Sequence, residues 1–215
     1  SKNYRNADLY VIGNTISRGN EILEHILNKK DKIISGPEWL YKNILKNKKV
    51  IAVSGTHGKT SVTSMITHAL ISNGENPSYL IAGIPKGFNK SWNLTESNYF
   101  VVEADEYDTA YFDKKPKFFH YHPDILLINN IEFDHADIYK NIDEIEKNFI
   151  ELAVGLPKES VIYINSSGLR ESFLDAIKKN TNIKAQIEAF NAEAENIYAV
   201  NKNITVKGLE GIVSE

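Results

Sequence analysis

Short apolar runs alternate with stretches of helical periodicity along most of the chain. The runs are "DLYVIG" (8–13), "VIAVSG" (50–55), "SYLIAG" (78–83), "YFVVEAD" (99–105), "DILLINN" (124–130) and "SVIYIN" (160–165). The helical stretches span 20–30, 37–46, 59–72, 142–154 and 168–179. Apolar runs without strict alternation are typical of strands that are covered on both faces. The pattern therefore predicts an α/β fold with a mostly parallel sheet flanked by helices.

Both ends depart from this alternation. The opening "RNADLYVIGNTISRGN" resembles a late strand of a sheet, and one strand with two short helices cannot bury a core of its own. The closing "ENIYAVNKNITVKGLEGIVSE" is typical of a hairpin with an Asn-Lys-Asn turn, and no closing helix follows it. We therefore expect a fragment of a longer protein.

Composition narrows the class of protein. The 215 residues are 42% hydrophobic and 25% charged, which is ordinary for a soluble globular protein, and the net charge of −3 gives no basic excess for nucleic acid. The absence of cysteine excludes disulfides and thiolate metal sites, and it makes the cytoplasm the default location. No apolar run approaches the ~20 residues that a membrane span needs, and the start has no signal-peptide core. We expect a cytoplasmic protein without membrane insertion, and the oligomeric state stays open.

A glycine-rich loop joins the second apolar run to a helical stretch. Glycines let backbone N–H groups turn toward a phosphate, the helix N-terminus adds partial positive charge, the lysine reaches the terminal phosphates, and the threonine hydroxyl suits Mg²⁺. The predicted nucleotide-binding residues of this loop are Gly55, Thr56, His57, Gly58, Lys59, Thr60 and Ser61.

The loop has the short form G-x-x-G-K-T, because Val53 stands where the longer phosphate-loop pattern has its first glycine. A glycine turn with a solvated lysine is the structural alternative. The loop alone also fits kinases, ATPases, GTPases and ligases alike.

Acidic side chains follow the next long run. Glu103, Asp105, Glu106 and Asp108 stand at or beyond the end of a predicted strand, and strand ends form the ligand crevice of an open parallel sheet. A carboxylate there can hold Mg²⁺. A solvated acidic turn fits Glu106 and Asp108 equally well, whereas Glu103 still lies inside the apolar run, where an unpaired carboxylate would be costly.

A second polar cluster follows the run at 124–130. Its members are Asn129, Asn130, Glu132, Asp134, His135 and Asp137. Neutral His135 beside carboxylates could ligate a divalent metal, although a lone histidine is more often structural. We predict that the two clusters and the phosphate loop converge at three strand ends.

The remaining histidines are less informative. The alternating spacing of His120 and His122 would place both on one face of a strand, where substrate contact or plain packing is favoured over a zinc pair without a third ligand. His25 and His68 lie in helical patterns and are expected to be ordinary.

The motifs together resemble the Mur ligase family of ATP-dependent amide-forming enzymes. The resemblance is carried by "IGNTISRGN", "SGPEWL", "GTHGKTS", "VVEADEYDTAYFDKKPKFFHY" and "LINNIEFDHADIY", and it weakens after Leu156. The stretch "EADEYDTAYFDKKPKF" is similar to the branch that adds a murein tripeptide to UDP-N-acetylmuramate, rather than to the branch that adds alanine.

The resemblance implies a reaction and a set of roles. ATP would phosphorylate the lactyl carboxylate of UDP-N-acetylmuramate, and the amine of L-alanyl-γ-D-glutamyl-meso-diaminopimelate would displace the phosphate. Lys59, Glu103 and His135 would be catalytic, with Thr60 and Glu103 on one Mg²⁺ and His135 on a second. Asn130 would support nucleotide binding, and Asp134 would be a further supporting residue.

The resemblance also implies an organisation. Residues 1–48 would be the end of a UDP-binding Rossmann-like domain with a linker, and 49–215 would be a truncated central ATP-binding domain. Many family members have a carbamylated lysine about fifteen residues after the metal histidine, but Ile150 stands there and Lys147 is only a neighbour. No carbamate is therefore predicted. The alternatives are an alanine-adding or other Mur-type ligase, a phosphate-loop kinase, and a nucleotide-binding module without turnover.

Overall fold

The structure is a computed structural model that describes residues 5–133 and 139–191, together with the backbone of three later strands at 197–200, 203–206 and 213–214. The described strands are β1 (Tyr10–Ile12), β2 (Ile33–Ser35), β3 (Lys49–Ser54), β4 (Ser78–Leu80), β5 (Trp92–Asn93), β6 (Tyr99–Glu103), β7 (Asp108–Ala110), β8 (Asp113–Pro116), β9 (Ile125–Ile128), β10 (Val161–Asn165), β11 (Gln186–Phe190), β12 (Ile197–Val200), β13 (Asn203–Val206) and β14 (Val213–Ser214). The described α-helices are α1 (Glu21–Asn28), α2 (Gly36–Asn43), α3 (Lys59–Ser72), α4 (Ile142–Gly155) and α5 (Glu171–Lys179). Short 3₁₀ turns lie at Leu45–Asn47, Lys117–His120 and Ser166–Gly168.

The main sheet has the strand order β11-β10-β9-β3-β6-β4-β5. All of its neighbouring strands are parallel except the β4–β5 pair. The α/β prediction with a mostly parallel sheet is confirmed. Because β3 lies between β9 and β6, the three strand ends that carry the predicted site residues are neighbours at one edge.

Helices cover both faces of this sheet. Alternate residues of β3 point to opposite sides, so Val50 and Ala52 join the larger core cluster with α4 and α5. Ile51 joins the smaller cluster, against which Ile66 and Leu70 of α3 pack. Burial on both sides explains why the strand sequences lack alternation.

Helix starts follow local sequence. Asn20, Ser35 and Asn141 cap α1, α2 and α4 through their side-chain oxygens, which satisfy N–H groups that have no partner within the helix. The third helix differs, because it begins after Gly58, which has a left-handed φ of 76° and no capping side chain.

The segment before β3 packs against the rest of the chain. β1 and β2 pair in parallel, and α1, which connects them, buries Leu23 and Ile26. Beyond β2, α2 lies against the turn at Lys117–His120, and the Tyr41 ring centroid lies 4.3 Å from that of His122. Residues 36–47 therefore contribute to the main core rather than extending away from it.

The predicted hairpin near the end is present. β12 and β13 are antiparallel, with Val200 opposite Asn203, and β14 adds a third strand on the other side of β13. Several short elements were not predicted, namely β2, β5, the β7–β8 hairpin and β11. These strands are short or polar, and their pairing partners rather than their own sequence make them strands.

Candidate active site at the phosphate loop

The phosphate loop lies between the end of β3 and the start of α3, as predicted. Gly55 has a φ of 140°, and a Cβ atom there would lie 2.9 Å from the backbone oxygen of Asn130. Glycine is therefore required at this position for two reasons, the backbone conformation and the close approach of the segment after β9.

The first half of the loop is fixed by the end of β9. The Thr56 N–H donates to the Asn130 backbone oxygen at 3.0 Å, and the His57 N–H donates to the Asn130 side-chain oxygen at 2.8 Å. The side-chain amides of Asn130 and Asn129 both donate to the His57 backbone oxygen, at 3.1 and 3.2 Å. Asn130, which was predicted to support nucleotide binding, contacts the loop backbone and thereby sets its shape.

The second half of the loop offers N–H groups to an anion. The first N–H groups of a helix have no acceptor within it, and the first backbone bond of this helix runs from the Val62 N–H to the Gly58 oxygen. Among the described residues no side chain caps α3. The amides of Lys59, Thr60 and Ser61 therefore add to the positive end of the helix dipole, which is the arrangement that binds phosphate groups.

Lys59 is buried, with only 9% of its surface exposed. Its ammonium group donates to the Gly55 backbone oxygen at 2.7 Å, and it lies 3.1 Å from the nearer carboxylate oxygen of Glu106. Asp105 lies 3.9 Å from the same ammonium group and 3.1 Å from that of Lys117. The alternative of a solvated lysine in a glycine turn is therefore wrong.

Thr60 and Glu103 are joined directly. The Thr60 hydroxyl donates to one Glu103 carboxylate oxygen at 2.9 Å, and the Ala82 N–H donates to the other at 2.8 Å. Both groups are hard oxygen ligands of the kind that Mg²⁺ prefers. Adjacent ligands on an octahedral Mg²⁺ with bonds of about 2.1 Å are about 3 Å apart, so the observed separation fits a shared ion.

The other acidic residues near the loop differ in their exposure and in their ion-pair partners. Glu106 is only 2% exposed, so its interpretation as a solvated turn residue is wrong. Asp108 begins β7 and forms a partly exposed ion pair with Lys114 at 2.8 Å. Glu132 is largely exposed, with its carboxylate 3.7 Å from the His57 ring.

Part of the predicted metal site lies outside the described residues. This holds for His135 and for the flanking Asp134 and Asp137. Within the described ranges, no group of three histidine, aspartate or glutamate side chains has the arrangement of a metal site. A magnesium ion that binds substrate phosphates needs only one or two protein carboxylates, a requirement that the Glu103 carboxylate beside the Thr60 hydroxyl meets.

The expectation that His120 and His122 lie on one face of a strand was wrong, but plain packing, which was favoured over a zinc pair, agrees with their contacts. His120 ends a 3₁₀ turn and His122 has a φ of 44°, so the two are not on one face of a strand. The His120 Nε2 atom lies 2.7 Å from a carboxylate oxygen of Asp113, and the His122 ring packs on Tyr41. Burial, with a smaller effect of His120, lowers the pKa of His122. These contacts are those of packing residues.

Several residues of the site were not singled out from the sequence. Lys117 pairs with Asp105, and the Tyr139 hydroxyl donates to the Glu106 backbone oxygen at 2.6 Å. Gly168 lies so close to the backbone of Asn129 that no side chain would fit there. Lys117 and Tyr139 lie inside segments that carry the family resemblance, but the sequence does not mark what they contact, since each acts through a contact with another segment.

Lys147 and Ile150 occupy different environments on α4. Lys147 is largely exposed and lies 3.9 Å from Glu151, while Ile150 packs against the main core.

None of the helices in the described part of the chain is long and apolar enough to cross a membrane.

Comparison with known proteins identifies the family. Residues 53–213 match the Mur ligase middle domain. A Haemophilus influenzae relative named UDP-N-acetylmuramate–L-alanyl-γ-D-glutamyl-meso-2,6-diaminoheptandioate ligase is 44% identical over 160 residues, which are 74% of this chain and 35% of the relative. A Clostridium acetobutylicum relative named UDP-N-acetylmuramate–L-alanine ligase is 31% identical over 207 residues, 96% of this chain and 43% of the relative.

A solved structure that is similar to this chain has the same kind of ligase name as the Haemophilus influenzae relative. The UDP-N-acetylmuramate:L-alanyl-γ-D-glutamyl-meso-diaminopimelate ligase from Neisseria meningitides superposes with a TM-score of 0.81 at 39% identity, covering 94% of this chain and 65% of that one. The chain therefore belongs to the Mur ligase family. It spans about a third of the length of the Haemophilus influenzae relative.

Proposed function

We propose that this chain carries the ATP- and magnesium-binding part of a ligase that joins L-alanyl-γ-D-glutamyl-meso-diaminopimelate to UDP-N-acetylmuramate. The observation that carries the proposal is the Thr60–Glu103 pair beside the Lys59 loop, at neighbouring strand ends. The choice of tripeptide rests on the 44% identity to a relative named for that ligation. Residues 49–215 would form the central ATP-binding domain, and 1–48 the end of the domain that binds UDP.

The reaction has two steps in this proposal. A lactyl carboxylate oxygen attacks the γ-phosphorus of ATP, the bond to the bridging oxygen breaks, and ADP leaves. The amine nitrogen of the tripeptide then attacks the acyl carbon, the carbon–oxygen bond to phosphate breaks, and the amine loses a proton as phosphate leaves. The first step brings two anions together, and the second develops negative charge on the acyl oxygen and the leaving phosphate, so positive charge fixed in advance lowers both barriers.

The residues of the loop would supply that charge. The amides at the start of α3 would bind the phosphates, and the Lys59 ammonium would offset the charge of the transferring phosphoryl group. Thr60 and Glu103 would hold Mg²⁺, which neutralises charge between the phosphates and the carboxylate when bound. His135 is proposed as the ligand of a second Mg²⁺.

The main alternative is the ligase that adds L-alanine to the same acceptor, since a relative with that name is 31% identical over nearly the whole chain. The higher identity of the relative named for the tripeptide, 44% over 160 residues, favours the tripeptide. A phosphate-loop kinase would use Lys59, Thr60 and a strand-end carboxylate in a similar way, and the match of residues 53–213 to the Mur ligase middle domain argues against it.

One assay separates these possibilities. The intact gene product is supplied with ATP, Mg²⁺ and UDP-N-acetylmuramate, and then with the tripeptide, L-alanine or no amine. We expect ADP release that depends on UDP-N-acetylmuramate, a product mass of UDP-N-acetylmuramoyl-tripeptide, and a hydroxamate when hydroxylamine replaces the amine.

Three outcomes of this assay would count against the proposed function. A preference for L-alanine over the tripeptide would favour the alanine-adding ligase. Transfer of phosphate to a hydroxyl group, without hydroxamate formation, would contradict the ligase. ADP release that persists in Lys59→Met would show that another site carries the activity.

A further inference from the structure

Glu106, with 2% of its surface exposed, is more buried than any other charged residue that the structure describes near the loop. Its two carboxylate oxygens lie 3.1 and 3.5 Å from the Lys59 ammonium group. Glu103, three residues earlier, is held instead by Thr60 and by the Ala82 N–H. Glu103 therefore contacts the predicted magnesium ligand Thr60, whereas Glu106 contacts the lysine.

A buried carboxylate beside a phosphate site has an electrostatic cost. It repels the phosphates that Lys59 attracts, and the repulsion is strong where solvent is excluded. Burial of the charge itself is also unfavourable unless it is paired. A carboxylate at this position therefore weakens nucleotide binding, and any benefit to the reaction has to come from the orientation of Lys59.

The orientation of Lys59 is set by three acceptors. Besides Glu106, its ammonium group donates to the backbone oxygens of Gly55 at 2.7 Å and Thr56 at 3.3 Å. The two backbone acceptors belong to the loop itself, whereas Glu106 lies beyond the end of β6. Glu106 is thus the nearer of two carboxylates that tie the lysine to the segment after β6, and Asp105 lies farther away at 3.9 Å.

The backbone of Glu106 is in turn anchored to α4. The Tyr139 hydroxyl donates to the Glu106 backbone oxygen at 2.6 Å and accepts from the Asn148 side-chain amide at 3.3 Å. Tyr139 is itself buried, with 6% of its surface exposed. The carboxylate therefore projects from a backbone that is held on both sides, by β6 and by the helix packed on the main core.

We propose that Glu106 is a positioning residue, which fixes the Lys59 ammonium group for phosphoryl transfer at the expense of nucleotide affinity. The proposal rests on the proposed function and adds a role within the same site. Glu106 touches the lysine rather than the substrate, so it acts on the reaction through Lys59.

The test compares Glu106→Gln with Glu151→Gln in the intact gene product. The second variant removes the same charge from a largely exposed position on α4. In Glu106→Gln we expect kcat to fall about 10- to 100-fold, as for other small misplacements of a catalytic group, while KM for ATP stays the same or falls. Glu151→Gln should change neither constant.

Other outcomes would overturn the proposal. Unchanged kcat would show that Lys59 needs no such contact. A lower kcat accompanied by a higher KM and a lower melting temperature would indicate a purely structural residue. The conservative Glu106→Asp, which keeps the charge but shortens its reach, should recover the wild-type KM and only part of kcat.

A binding measurement separates this proposal from the proposed function. Calorimetric titration with a non-hydrolysable ATP analogue and Mg²⁺ needs no ligation, and Glu106→Gln should bind it as tightly as the wild type or more tightly. If the wild type bound the analogue but failed to ligate, the proposed function would fail. If Glu106→Gln bound it more weakly, the role of Glu106 would fail instead.

Discussion

The Thr60 hydroxyl donates a hydrogen bond to the Glu103 carboxylate at 2.9 Å and so joins two residues 43 positions apart in the chain. Thr60 lies in the first turn of α3, and Glu103 is the last residue of β6. The Ala82 N–H holds the second carboxylate oxygen at 2.8 Å. A hydroxyl and a carboxylate are thereby fixed together next to the amides of the phosphate loop.

This pair leads to a prediction for Thr60→Val. The substitution removes the hydroxyl and keeps the shape, so one proposed magnesium ligand is lost. We expect the Mg²⁺ concentration for half-maximal activity to rise about tenfold, the scale on which loss of one group that supports a metal acts.

Thr67→Val is the matched control. Thr67 is buried on the same helix and donates to the Thr63 backbone oxygen. Its magnesium titration should equal that of the wild type. An equal titration for Thr60→Val as well would remove Thr60 from the metal site.

The Lys59–Glu106 ion pair leads to a prediction about stability. Lys59→Met should abolish phosphoryl transfer, but it also leaves a carboxylate that is 2% exposed without this cation. Removal of one partner of a buried pair costs about 3 to 5 kcal/mol, so the free energy of unfolding should fall markedly.

The double variant Lys59→Met/Glu106→Gln distinguishes charge from packing. It should recover most of the lost free energy in urea unfolding, while phosphoryl transfer stays absent. A double variant no more stable than Lys59→Met would mean that the two charges are not coupled.

Gly55→Ala should disrupt the contact between the loop and β9. The φ of 140° is unfavourable for alanine, and its Cβ would lie 2.9 Å from the Asn130 backbone oxygen. Gly74→Ala serves as the control, since Gly74 also has a positive φ, 84°, but has no atom within 4 Å of the added Cβ.

Both substitutions introduce backbone strain, but only the first adds a steric clash. We expect Gly55→Ala to lose about 1 to 3 kcal/mol more than Gly74→Ala in urea unfolding, the range for overpacking. It should also weaken nucleotide binding. Equal losses would mean that the loop can move away from Asn130 at little cost.

Tyr139 leads to a prediction about alkaline pH. Burial raises the pKa of Tyr139 to about 12 from its ordinary value of 10.0. The folded state therefore favours the neutral phenol, whose contribution to stability is complete below pH 10 and is lost as the pH rises from 10 to 12.

Tyr139→Phe isolates this contribution. At pH 8 the variant should be about 1 kcal/mol less stable, because the hydrogen bond to the Glu106 backbone oxygen is lost. Near pH 11.5 the difference should shrink, since only the wild type carries a phenol that can ionise at position 139. A difference that stays constant across this range would contradict the assignment.

The order of strands and helices could be predicted from the sequence where the periodicity was strong. The runs containing β3, β6, β9 and β10 are long and apolar, because strands covered on both faces exclude polar residues. The elements that were missed, such as β5 and β8, are short and half-exposed. They exist because of the strands they pair with, which local sequence does not reveal.

The sequence by itself determined the phosphate loop and the polar strand ends. Gly55, Gly58 and Lys59 mark the loop because it has to turn sharply and carry a charge, and these needs are met by residue type at fixed spacing. Glu103 was recognisable because a carboxylate in an apolar run needs a partner.

Only the tertiary structure decided which charges meet. The pairing of Glu106 with Lys59, the hold of Tyr139 on the Glu106 backbone and the contact of Asn130 with the loop all join segments more than 30 residues apart. Such contacts depend on the strand order β9-β3-β6, which brings three loops to one edge. Local propensity acts over a few residues, so it fixes what each segment can do, and the packing of the sheet fixes what each side chain touches.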